Sequence, residues 1–392
     1  MKEGTSKKWI VCLGEFQSDS TVYTMTHLVR RFHQNNHSVL WVNAIPNRGI
    51  FSGGKSSYSK KALKRYMTKI KIALTPLKKK EDEFYIYTPF FLPWLENKKI
   101  IRINDFIIKL QLRFVFSILG IKRFILSSSS MMNTPYFFKN RKFESYFHYV
   151  GDLYSDYRNA TAFIKEKMFK RENEIFDFAN KIFIASNRVF KKIEARVSDK
   201  NKLVYFPHGV EFKHFHTKAS QQPSVFNSIK KPIIGYFGSL TDVNDKDAIV
   251  ALANSGFSVV LIGKVSGNYS ECEKNPNVHF LGPVPYKDLP AYGQAFDICM
   301  LNWEMAEWIK NSNPQKMYEY LAMGKPIVSC RIPEAEYQLG DLIYFTDSSQ
   351  GYPEQARKAL EEDSFEKQET RVCRAEQQDW DNKFSIINKH LI

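Results

Sequence analysis

Three things are scarce in this chain of 392 residues, and each absence narrows what it does. Cysteine is the first. Cys12, Cys272, Cys299, Cys330 and Cys373 are odd in number and scattered, with no CxxC pair and no metal-ligand spacing. That excludes a disulfide framework and a cysteine-built zinc site, and it fits a reducing compartment. Cys299 and Cys330 fall in apolar strand-like runs and read as small core residues. Long hydrophobic runs are the second absence. No stretch reaches the roughly 18 apolar residues a spanning helix needs. The N-terminal MKEGTSKKWIVCLGEF has only five consecutive apolar residues, Trp9 to Leu13, so it reads as a strand rather than a signal segment. A cytoplasmic protein is expected, free or lying on the membrane without crossing it. Acidic charge in the first half is the third. Residues 1–200 carry 37 basic against 17 acidic side chains, a net +20, whereas residues 201–392 come to −4. A one-sided positive field points to a polyanionic partner: nucleic acid, an anionic membrane surface or phosphorylated substrates.

What is present is strand–helix alternation, twice over. WIVCLG, TVYTMTHLVRRFHQN and HSVLWVN form a βαβ opening, which implies a parallel sheet covered by helices. Residues 47–80 read as loop and then as a basic segment, and residues 101–120 as a helix with a broad apolar face. RFILSSSS, FESYFHYVGD, KIFIAS and LVYFPHGV supply further strands. The polar stretch 217–231 reads as a linker, after which the alternation restarts at PIIGYFGSL. The tail EQQDWDNKFSIINKHLI reads as one last amphipathic helix.

The stretch NPQKMYEYLAMGKPIVS, residues 313–329, mixes two kinds of side chain. Met317, Tyr320, Leu321 and Met323 have the spacing of a buried helix face, while Lys316 and Glu319 are charged and one turn apart, just after Pro314. Proline suits a first helical turn, whose free N–H groups and dipole attract phosphate. Lys316 adds a full positive charge there, and a carboxylate one turn on accepts hydrogen bonds from the vicinal hydroxyls of a ribose. The plain alternative is an i,i+3 surface ion pair.

The surrounding segments tip the balance. KPIIGYFGSL, NVHFLGPVPYKDLPAYGQAFDICMLNW, PQKMYEYLAMGKPIVS and YFPHGVEFKHF, with DWDNKF near the end, resemble in order the signature segments of GT-B nucleotide-sugar glycosyltransferases. His208 stands where that family usually has Asn. The resemblance covers most of residues 200–392; residues 1–200 match in pattern only. It implies an α/β fold of two doubly wound Rossmann-like domains facing a cleft. Residues 1–212 would bind the acceptor, 213–375 the nucleotide-sugar, and 376–392 would form a helix crossing back to the first domain. Retaining members carry an E-x7-E pair, but eight positions before Glu319 stands Asn311. The layout is similar to the teichuronic-acid group and to the xanthan-type glucuronosyltransferases, which invert configuration with an aspartate base. Asp152, at the carboxyl end of a strand, is the candidate base here, with Asp156 as runner-up; loop capping is the alternative for both.

For the donor site the resemblance implies Lys316, Met317 and Glu319, backbone N–H groups at Gly238 and Ser239, and Val284 and Tyr286 near a uracil-type base. Gly14, ending the first strand, would face the donor or acceptor, or simply make a tight turn. DWD at 379–381 opens a helix and reads as capping, and His33 and His37 straddle a helix end and read as structural. No metal or other cofactor is expected, because Lys316 and helix N-termini can offset the departing diphosphate. The expected partners are a UDP-sugar and a polyprenyl-diphosphate-linked or other saccharide. An anionic membrane surface is expected to meet the basic residues flanking helix 101–120, whose apolar face fits a core equally well. A retaining hexosyl- or mannosyltransferase and a sugar-nucleotide epimerase of the same fold stay open. No nucleic-acid motif accompanies the basic half, so nucleic acid is not expected.

Overall fold

The computed structural model describes residues 7–14, 24–43, 76–92, 98–130, 134–156, 162–217 and 221–391. Two sheets organise them. The first runs β3-β4-β2-β1-β5-β6-β7-β8, where β1 is Trp9–Gly14, β2 Ser38–Asn43, β3 Leu77–Glu81, β4 Phe84–Tyr87, β5 Phe124–Ser128, β6 Ser145–Val150, β7 Lys181–Ile184 and β8 Leu203–Tyr205. The second runs β11-β10-β9-β12-β13-β14, where β9 is Ile233–Phe237, β10 Ser258–Ile262, β11 Val278–Gly282, β12 Ile298–Leu301, β13 Ile327–Cys330 and β14 Ile343–Thr346. Every pairing is parallel except β3 with β4. The central strands β1, β2, β5, β9, β10, β12 and β13 are buried almost throughout, as parallel strands covered on both faces must be. Each sheet has one apolar core on either side.

Strand order reverses between β1 and β5 in the first sheet and between β9 and β12 in the second. Outside such reversals, at the carboxyl ends of the strands, open α/β sheets leave a ligand crevice. Gly14 ends β1 and Gly238 follows β9, so both lie at these points.

The chain crosses back at its end. Trp380 is fully buried in the first domain's core beside Ile10, Cys12 and Phe147, which anchors the helix Trp380–Leu391 there. The crossing is stitched by backbone: Val210 N–H donates to Gln378 O (3.0 Å) and Trp380 N–H to Val210 O (3.1 Å). A Cβ on Gly209 would come 2.7 Å from the Trp380 ring, which is why glycine precedes Val210. The tail is therefore two helices, Phe365–Gln377 and Trp380–Leu391, not one. Asp379 sits at the break and accepts the N–H groups of Asp381 (2.7 Å) and Phe212 (3.0 Å), the capping read for DWD.

Two segments differ from their sequence reading. Lys78, Lys79 and Lys80 are not in a loop but on β3, an edge strand with exposed side chains paired antiparallel to β4. Lysine on an edge strand discourages another chain from adding to the sheet. Residues 55–75 of the basic segment lie outside the described residues. The helix Lys98–Ile118 answers the choice between core and surface with both. Ile108, Leu112, Val115 and Phe116 are buried in the first domain's core. Ile103, Phe106, Leu110, Phe114 and Ile118 form a second apolar stripe on the outside, with Phe114 68% exposed. Among the described residues no helix is long and apolar enough to cross a membrane.

Candidate active site at the domain cleft

The second domain contributes backbone. Gly238 (φ +142°) and Gly263 (φ +148°) follow β9 and β10, and Gly282 (φ +72°) ends β11, all in conformations that side chains resist. Gly238 N–H donates to Ile262 O, and Gly263 N–H to Gly282 O, both at 2.8 Å, so the three strand ends are laced together. A Cβ on Gly238 would fall 2.4 Å from Lys316 Cε, and one on Gly263 would fall 1.8 Å from Gly238 O. Gly238 thus clears the space that Lys316 occupies, and Gly263 admits the Gly238 carbonyl.

Lys316 lies in the first turn of the helix Gln315–Ala322, with its Nζ 5.4 Å from the centre of the Tyr236 ring and 5.2 Å from that of Trp303. Two aromatic faces hold the ammonium in place without neutralising it. Among the described residues it has no carboxylate within salt-bridge distance, and the surface ion pair with Glu319 does not form. Glu319 is instead buried, 6% exposed, and accepts a hydrogen bond from Gln315 Nε2 at 3.2 Å. Burial pushes its carboxyl up to about 7, against the pull of Lys316. Met317, Tyr320 and Leu321 fill the second domain's core, as their spacing requires, and Met323 packs at its edge. The Met317 side chain is therefore enclosed, and its N–H donates to Pro314 O (3.2 Å).

Ser239 is exposed beside Gly238, and its carbonyl accepts from the Tyr236 hydroxyl at 3.4 Å. Val284 is partly buried against the core. Tyr286 stacks on His214 (5.0 Å between centres), its carbonyl accepts from His214 Nε2 (3.0 Å), and its hydroxyl is buried with no partner.

The first domain contributes side chains. Gly14 O accepts from Trp41 Nε1 (3.0 Å), and a Cβ there would lie 3.2 Å from Ser129 Oγ. The residues that follow it, 15–23, lie outside the described ones. Asp152 comes two residues after β6, at its carboxyl end, and makes no hydrogen bond or ion pair among the described residues. Burial, with Asp156 nearby, pushes it up to about 6. A carboxyl poised near neutrality at a strand end is suited to accept a proton. Asp156, by contrast, is occupied: its Oδ2 accepts from Lys192 Nζ (2.9 Å) and Asn311 Nδ2 (2.8 Å).

Position 311 belongs to the domain junction. Besides Asp156, Asn311 accepts from Ser186 Oγ (2.6 Å) and Arg188 Nε (3.3 Å), both of the first domain. Asn313 Nδ2 donates to Ala185 O at 2.8 Å beside them. A second knot is one that sequence reasoning misses. Arg31, on the helix Thr24–Gln34, donates to both oxygens of Glu211 (2.8 and 3.0 Å) and to Asp381 (2.7 Å). His27 of the same helix pairs with Glu211 as well. Burial raises Glu211, but His27 and Arg31 outweigh it and hold its carboxyl well below the ordinary range. The only signal for it is a charged residue after HGV in YFPHGVEF. The partners are some 180 positions apart, beyond the reach of any spacing rule.

Comparison with known proteins completes the description. Residues 231–361, which hold every glycine turn just described and Lys316, match the family model described as glycosyl transferases group 1. Over the whole chain, the sucrose-phosphate synthase of Thermosynechococcus elongatus superposes with a TM-score of 0.69 at 11% identity, covering 97% of this chain and 98% of that one. The fold is GT-B. Anabaena HepE in complex with UDP-glucose shares it, with a TM-score of 0.63 and 13% identity over 98% of this chain and 99% of that one. Among curated proteins, the putative teichuronic acid biosynthesis glycosyltransferase TuaH of Bacillus subtilis (strain 168) is 24% identical over 195 residues. That match covers 47% of this chain and 49% of the relative, so the chain spans about half its length. In this fold Lys316 lies beyond the carboxyl end of β9 and Asp152 beyond that of β6.

Proposed function

We propose that the chain transfers a sugar from a nucleotide-sugar, a UDP-sugar in particular, to a saccharide acceptor in the synthesis of a bacterial surface polysaccharide. The observation that carries this is Lys316: an ammonium held between two aromatic rings, unpaired with any carboxylate among the described residues, over a glycine turn at the reversal of strand order. Such a group receives a diphosphate. Glu319, one turn on, receives the ribose hydroxyls. The HepE complex with UDP-glucose and the teichuronic-acid relative support the donor class and the kind of product.

In this reading Asp152 takes the proton of the acceptor hydroxyl as that oxygen attacks the anomeric carbon. The nucleoside diphosphate leaves from the opposite face, its charge met by Lys316 and the glycine-turn N–H groups. Inversion is supported by Asn311, an amide engaged in the domain junction where the retaining signature has a glutamate. The protein works at the inner face of the cell membrane on a lipid-linked acceptor, with no metal. The support is the outer stripe of the helix Lys98–Ile118, apolar residues bordered by Arg102 and Arg113 in a half of net charge +20. That pairing of apolar and basic residues complements an anionic bilayer.

Calorimetric titration with UDP, GDP and UDP-glucuronate tests the donor site. We expect UDP binding that Lys316→Ala weakens about 10- to 100-fold, the size of a lost charge-assisted contact. Failure of every nucleotide to bind the wild type would overturn the reading.

A further inference from the structure

His208 lies in the loop between β8 and the crossing to the second domain. Its Nδ1 is 2.7 Å from Thr24 Oγ1 and 2.8 Å from Tyr149 Oη. Neither hydroxyl has any further partner among the described residues, and both side chains are buried, 4% and 5% exposed. Counting protons settles the tautomer. If Nδ1 carried the hydrogen, three protons would share two hydroxyl oxygens, and one buried O–H would point at nothing. If Nδ1 is bare, it is the acceptor that both hydroxyls face, and every donor is matched. The hydrogen is then on Nε2.

The Nε2 side of the ring is open. His208 is only half-buried, Nε2 has no partner among the described residues, and it is not among the buried unpartnered atoms. Gly151 faces it: a Cβ there would stand 3.9 Å from His208 Cε1, ordinary contact, so glycine leaves the ring edge uncovered. The next residue is Asp152. Burial, with Lys383 and His27 close by, pushes the imidazole down to about 4, so no charge develops at neutral pH.

We propose that His208 is a substrate-binding residue of the cleft whose fixed Nε2–H donates a hydrogen bond to a hydroxyl of the sugar carried by the nucleotide donor. A neutral donor pinned from behind matches an uncharged oxygen better than a phosphate, and its place beside Asp152 puts it where the transferred sugar must lie. Thr24 and Tyr149 are positioning residues that act through it. The ligand's identity rests on the glycosyltransferase reading; the tautomer does not.

The test is two-bond 1H–15N correlation spectroscopy of the full chain, with His208 assigned by His208→Gln. It is read from pH 5 to 8, then with saturating UDP, UDP-glucose and UDP-glucuronate. We expect a bare Nδ1 and a protonated Nε2 throughout, and a shift of Nε2 with a UDP-sugar but not with UDP. His208→Phe should weaken that UDP-sugar about tenfold, the size of one neutral hydrogen bond, and leave UDP unchanged. His208→Gln, which keeps a donor in reach, should restore most of the loss. Tyr149→Phe should change the Nδ1 signal. A proton on Nδ1, an ordinary titration near 6.5, or equal effects of His208→Phe on UDP and UDP-sugar would each overturn the proposal. UDP binding that depends on Lys316 without any response at His208 would overturn this inference alone. Absence of all nucleotide binding would overturn the functional reading and the ligand named here together.

Discussion

The two sheets end differently, and the difference tells which wall does what. At the carboxyl edge of the second sheet, β9, β10 and β11 end in glycines with positive φ, and the group presented to the cleft is main chain backed by one lysine. At the carboxyl edge of the first sheet, the ends of β6 and β8 lead into Asp152 and His208, each offering a side chain. Bare backbone is what a diphosphate needs, since N–H groups must approach it closely. Side chains of tuned protonation are what proton transfer and sugar recognition need. The first wall also carries the excess positive charge and the external apolar stripe, neither of which the second wall shares.

The sharpest way to break this division is Asp152→Asn. Transfer should fall about 100- to 10,000-fold, the usual range for a lost general base, while UDP affinity stays within about twofold. In the wild type the rate should rise with pH through about 6, where Asp152 sheds its proton, and this limb should vanish in the variant. A parallel loss of UDP binding would mean that the two walls are not separate in role.

Arg31→Ala attacks the joint between the walls. It leaves Glu211 half-buried with one less cation, and unfolding by urea should show a loss of about 3 kcal/mol. Arg31→Lys should recover only part of it, because a lysine cannot bridge both Glu211 oxygens.

Glu319→Gln probes the second wall at a buried carboxylate. Its folded pKa of about 7 lies above the ordinary value, so ionisation costs stability in the empty protein. That cost is absent below the unfolded pKa and grows as pH rises toward and through 7. The variant should therefore match wild type at pH 4.5 and exceed it by roughly 2 kcal/mol at pH 8 in the empty protein, while binding UDP more weakly. Equal stability at both pH values would show that the carboxylate is already compensated.

Phe114→Ser removes the most exposed ring of the outer stripe. Partition onto anionic vesicles should fall about tenfold by sedimentation, with UDP binding untouched. The same variant on neutral vesicles should show little change, since the basic residues have no attraction there to share.

Much of this architecture is legible in the amino-acid sequence alone. The periodicity of Met317, Tyr320 and Leu321 is enough to mark the core face of their helix, because helical spacing is a local rule, whereas the burial of Glu319 is not legible from it. The strand that delivers Asp152 is visible for the same reason. What escapes is whatever depends on distant partners. Lys78 to Lys80 read as part of one long basic segment, and only pairing with β4 shows them as an edge strand. Helix Lys98–Ile118 reads as either a core element or a surface one, since periodicity does not tell which of two apolar faces is covered. The knot of His27, Arg31 and Glu211 leaves no trace beyond the charge after HGV, because a pair separated by that much sequence has no period to betray it.

The backbone bonds that join Val210 to Gln378 and Trp380 have a topological consequence. The chain leaves the first domain and re-enters it at the same spot, so residues 211–378 are a guest inserted into a host whose two parts meet again side by side. The host owns both the start of the chain and its last helix. The second sheet is thus carried on a cassette whose chain enters and leaves by a single doorway.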